Sequence, residues 1–69
     1  MNKITWIDFS PRPKAKASED GLWRIYRHIL HDLGKCYKLY RIQSDKSMRE
    51  VCIKDSFIEA ANVAEDMAD

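Results

Sequence analysis

The chain has 69 residues, 45% of them hydrophobic and 33% charged, and a net charge of +1. A chain this short makes one small domain, whose core supplies only about 3–5 kcal/mol without reinforcement. The balance of apolar and charged residues excludes a disordered chain, and no apolar run reaches the length of a membrane span.

The near-neutral total hides a division along the chain. Residues 11–42 carry eight cations against three anions, and residues 43–69 carry three cations against seven anions. A chain so divided is steered toward charged partners, but it is too balanced for a strong polyanion binder. No secretory leader pattern precedes the first charge, so a cytoplasmic protein with reduced thiols at Cys36 and Cys52 is expected.

Residues 2–9, NKITWIDF, are rich in β-branched and aromatic side chains and predict a strand. Ile4 and Trp6 fall on one face, with Thr5, Ile7 and Phe9 on the other. Apolar residues on both faces, in so small a domain, predict self-association. Residues 10–17 hold two prolines and three cations, which predicts an exposed tether.

Ser18 then reads as a helix N-cap, with Glu19 and Asp20 at the positive end of the helix dipole. Leu22, Ile25, Tyr26, Ile29, Leu30 and Leu33 fall at helical spacing, and Gly34 supplies a left-handed residue after the last turn. The spacing predicts an amphipathic helix over 18–33. Residues 35–43 and 48–54 predict a hairpin around SDKS, with Gln43 opposite Met48, Arg41 opposite Glu50 and Tyr40 opposite Val51. Ser56 and Glu59 form a capping box ahead of an alanine-rich stretch, which predicts a second helix.

The fold expected is α+β: a small two-layer β-α-β-β-α domain over 1–69, with a three-stranded mixed sheet and two helices. The first helix permits a right-handed crossover and a parallel pair of strands.

His28, His31, Cys36 and Cys52 are all competent zinc ligands. On a helical wheel, however, both histidines point away from the stripe that must face the sheet, so the four would not converge. No metal or cofactor is expected. The cysteines lack a base within reach, Ser56 is a cap, and no glycine-rich phosphate loop is present, which argues against an enzyme.

What remains is surface. Trp23, Arg24, Arg27 and His31 lie outside the predicted apolar stripe, the composition of a protein-interface hot spot, with Trp23 as its anchor. The competing reading tucks the Trp23 ring over the edge of the core. A nucleic-acid reading instead uses Arg12, Lys14, Lys16, Lys35, Lys38 and Arg41 on phosphates, with Tyr37 or Trp23 stacking on bases. The sequence thus predicts a non-enzymatic binding module that occupies a surface of another protein. Small regulators and inhibitors encoded by phages and mobile elements have this character. A homodimer is a further expectation, and nucleic acid the alternative partner.

Overall fold

The protein is described by a computed structural model covering residues 3–8, 15–30 and 34–68. The elements in chain order are β1 (Trp6–Asp8), β2 (Ala15–Ser18), β3 (Trp23–Leu30), β4 (Gly34–Ile42), β5 (Met48–Lys54) and α1 (Phe57–Met67). The strands form one five-stranded sheet in the order β1-β2-β3-β4-β5, every neighbouring pair antiparallel.

This overturns the expected fold. Among the described residues there is one helix and not two, the sheet has five strands and not three, and no pair is parallel. Residues 15–18 form β2, with Ala15 and Ala17 buried, where the tether was expected to continue to 17. Positions 10–14 lie outside the described residues.

The error centres on residues 18–33. Leu22, Ile25, Tyr26 and Ile29 satisfy a helical spacing, but the same stretch also alternates. Trp23 and Ile25 point to one face, 2% and 1% exposed, while Arg24 and Tyr26 lie on the other. Tryptophan, isoleucine and tyrosine fit a pleated surface. Pairing decides the contest: β3 is matched with β4 from Trp23↔Arg41 to Leu30↔Gly34, a non-local match that spacing alone does not reveal. Gly21 has φ 79°, a left-handed value that an α-helix cannot contain.

Ser18, expected to cap a helix, organises the β2–β3 turn instead. Its hydroxyl accepts the N–H groups of Trp23 at 2.9 Å and Leu22 at 3.1 Å, and donates to the Asp20 carboxylate at 2.6 Å. The Ser18 carbonyl accepts the Gly21 N–H at 3.0 Å.

The hairpin of β4 and β5 forms largely as expected, with one displacement. Near the turn Tyr40 faces Glu50, Arg41 faces Arg49 and Ile42 faces Met48, one residue off the predicted register. A bulge between Leu39 and Tyr40, where Val51 has no partner, restores that register from Leu39↔Cys52 onward. The turn itself needs Lys46 at φ 76°, and the Asp45 carboxylate accepts the Ser47 N–H at 3.0 Å.

Helix α1 starts where the capping box places it: the Ser56 hydroxyl accepts the Glu59 N–H at 3.2 Å. It lies against β3, β4 and β5. Ala60, Ala61 and Ala64 face inward and, with Trp23, Ile25 and Leu39, make the core. Ile4, Trp6, Tyr37, Val51, Cys52, Phe57 and Val63 pack around it, and Trp6 meets Phe57 edge-on with ring centroids 5.8 Å apart. Burying side chains such as Trp23, Ile25 and Leu39 contributes about 1.5–3 kcal/mol each. All these residues lie on the helix side of the sheet; the large side chains of the other side are outside the core.

Candidate interaction surfaces

Strand register places each expected contact residue. Trp23 is 2% exposed and part of the core, with the Arg41 guanidinium 4.7 Å from its ring centroid, so the indole is not available as a surface anchor. Arg24 lies on the open side of β3 and Arg27 on the helix side, because neighbours in a strand alternate. The single helical face that grouped Trp23, Arg24, Arg27 and His31 therefore does not exist. His31 lies outside the described residues.

The cations of the nucleic-acid reading are scattered too. Lys16, Lys35 and Arg41 fall on the helix side and Lys38 on the open side, while Arg12 and Lys14 lie outside the described residues. Lys16 is paired with Asp8 at 2.7 Å and Lys38 with Glu50 at 3.8 Å.

Two surfaces do assemble. The first is a basic end of the sheet on its helix side, half-buried at Arg27, Tyr37 and Lys54 and exposed at Ile29 and Lys35. Arg27, Tyr37 and Lys54 sit side by side on β3, β4 and β5, and Ile29 and Lys35 face each other in the adjoining row. Ile29 is 72% exposed. The two ion pairs among the described residues involve none of these cations. Of this group, Arg27 was expected as a contact, Lys35 as a phosphate ligand and Tyr37 as a stacking residue. Lys54 was missed because it belongs to the acidic half of the chain, and Ile29 because helical spacing assigned it to the core. Period-two alternation through β3 is the signal that could have placed Ile29, whereas Lys54 is placed by its pairing with Tyr37 across β4 and β5.

The second surface is the open side of the sheet. One row runs Ile7, Ala17, Arg24, Tyr40, Glu50 from β1 to β5, and the next runs Ala15, Tyr26, Lys38, Ile53. Ile7 is 47%, Met48 46% and Ile53 51% exposed, while Tyr26 and Tyr40 meet edge-on at 5.6 Å. Ile42 pairs with Met48 at the turn end of the same side.

The titratable groups once considered for metal or catalysis are separated by the fold. His28 faces Cys36 on the open side, and Cys52 faces Leu39 on the helix side, so the two cysteines stand on opposite faces and do not form a cross-strand disulfide. Burial pushes the Cys52 thiol above its ordinary pKa. The Ser18 hydroxyl, and then the Leu22 N–H, hold the Asp20 carboxyl below the usual carboxylate range. Among the described residues no three His, Cys, Asp or Glu side chains gather as a metal site, and no helix is long and apolar enough to cross a membrane.

No known protein family, curated protein or solved structure matches this chain.

Proposed function

We propose that the protein is a non-enzymatic binding module whose basic end docks on an acidic, partly apolar surface of another protein, as a regulator or inhibitor that occupies that surface. The observation that carries this reading is the grouping of Arg27, Lys35 and Lys54 around Tyr37, with Ile29 exposed among them. Arg27, Lys35 and Lys54 take part in neither ion pair among the described residues, which leaves them to meet carboxylates, and an apolar side chain among them lets the contact exclude water, which strengthens the charge pairs around it.

Nucleic acid is the second reading of the same end. Three clustered cations suit phosphates, but an isoleucine exposed to 72% adds nothing to a phosphate contact, whereas it suits an apolar pocket on a protein. Tyr37 also packs partly into the core, which limits it as a stacking platform.

The experiment is capture from the source cell by the tagged chain and by an Arg27→Glu/Lys54→Glu variant, each with and without nuclease. A stoichiometric protein held by the parent chain after nuclease, and lost by the variant, is the expected result. Equal capture by the variant removes the basic end as the site. Recovery of nucleic acid, with proteins lost on nuclease treatment, replaces this reading with the second one.

A further inference from the structure

The exposed aliphatic side chains of the open side stand on its two edge strands, Ile7 on β1 and Met48 and Ile53 on β5, while Ala15, Ala17 and Cys36 between the edges are buried. An edge residue lacks a neighbour on its outer side, and a further strand is what supplies one. β1 offers three residues for such pairing and β5 seven, an edge about 23 Å long. Among the described residues β5 pairs with β4 alone, and no other backbone is bonded to its outer edge.

The bulge at Val51 sorts this edge by chemistry. Arg49 and Lys54 are five positions apart in the sequence, a spacing that puts side chains on opposite sides of a regular strand. With Val51 left unpaired they stand opposite Arg41 and Tyr37, four positions apart, and both project on the helix side. Met48 and Ile53 have the same spacing and both project on the open side, opposite Ile42 and Lys38. Glu50, between these two, is already turned to Lys38 at 3.8 Å. One side of the edge is therefore cationic and the other aliphatic.

The cations are not balanced from behind. On the helix side, β3, β4 and β5 carry Arg27, Lys35, Arg41, Arg49 and Lys54 and no carboxylate, and Arg41 faces Arg49 directly. A second copy added at this edge about a two-fold axis keeps its own faces, so its Arg49 and Lys54 would gather on the same side and repel these. Cations and a bulge keep an edge from joining its own kind, and here they also select the opposite charge. We propose that the outer edge of β5 receives an extended segment of another protein in which acidic and apolar residues alternate. Its carboxylates stand beside Arg49 and Lys54, its apolar side chains beside Met48 and Ile53, and its main chain bonds to the edge. This edge shares only Lys54 with the basic end, so either surface can fail without the other.

The test is calorimetric titration of the whole chain with a capped seven-residue peptide of alternating valine and glutamate, with circular dichroism of each variant to establish that it is folded. Saturable binding is expected, together with slowed amide exchange in β5. The same peptide with lysine for glutamate, or with its backbone amides methylated so that it cannot add as a strand, is expected not to bind. Arg49→Glu is expected to weaken binding at least about tenfold by setting like charges together. Ile53→Glu, which sets a carboxylate against the valines, is expected to weaken it as well. Arg27→Glu, which disables the basic end, is expected to change it by less than about twofold, because that side chain lies two strands from the edge. No saturable binding at millimolar peptide overturns the proposal. So does equal binding of the lysine or methylated peptide, or binding that Arg49→Glu and Ile53→Glu leave unchanged.

Discussion

Replacing Gly21 with alanine separates the two accounts of residues 18–33 by sign. In a helix, alanine is about 1 kcal/mol better than glycine, so a helical segment would be stabilised. In the turn observed here Gly21 has φ 79°, and a Cβ at that position would meet no atom within 4 Å. The cost is therefore backbone strain alone, about 1–2 kcal/mol for a left-handed residue with a side chain. The unfolded chain loses freedom on the same change, which returns about 0.4–1 kcal/mol. The net expectation is a destabilisation of about 1 kcal/mol, which in a domain of this size lowers Tm by about 4–8 °C. Urea denaturation followed by circular dichroism measures it, and an unchanged slope with a lower midpoint marks a pure stability effect. An alanine variant more stable than the parent would refute the turn and restore the helix.

Ser18→Ala is expected to cost about 1–3 kcal/mol by leaving the buried Trp23 N–H without an acceptor. The Leu22 N–H keeps its 3.0 Å bond to Asp20, so the loss is concentrated at Trp23. Because Ser18 holds the folded pKa of Asp20 below its unfolded value of 3.8, Asp20 contributes stability above that value. That contribution disappears as pH falls through the lower, folded value, so Ser18→Ala should flatten the acid limb of a stability profile between pH 2 and pH 5. Ala64→Leu, at a position of the helix with 0% exposure against the sheet, is expected to cost about 1–3 kcal/mol by overpacking, whereas Asn62→Leu on the exposed side should change the urea midpoint little. Cys52 should react with a disulfide reagent more slowly than a free cysteine at neutral pH and accelerate as pH rises past the ordinary thiol range, since only the thiolate attacks.

How much of this was legible depends on whether the deciding interaction is local. The C-terminal helix could be read because a cap and a glutamate three residues later announce it, and the alanines that follow fix its inner face. The β4–β5 hairpin could be read from its turn chemistry, but the bulge at Val51 could not. That extra residue is tolerated by the strand opposite it, which leaves no trace in β5 itself. Residues 22–30 carry both a helical and an alternating pattern, and only the match of β3 with β4 selects between them. The surfaces followed the same rule. Arg27 and Lys35 stood out by charge, but their meeting with Lys54 depends on three strands lying side by side. Trp23 looked like an anchor because the wheel put it outside the stripe, but in the strand it faces the helix and is 2% exposed.

The order of the strands in the sheet is their order in the chain, so every pairing joins elements separated by one turn or loop. Such a sheet closes by successive short-range steps, and the loop-entropy cost that slows most β-proteins is small at each of them. β3, β4, β5 and α1 form one continuous stretch, since the helix packs on those three strands. An isolated helix of 11 residues is not stable in water, so α1 forms only once the hairpins give it a surface. β1 and β2 then extend the sheet from its free edge, making them the last strands to form and the first to open. Amide exchange should grade accordingly, slowest in β3 and β4 and fastest in β1.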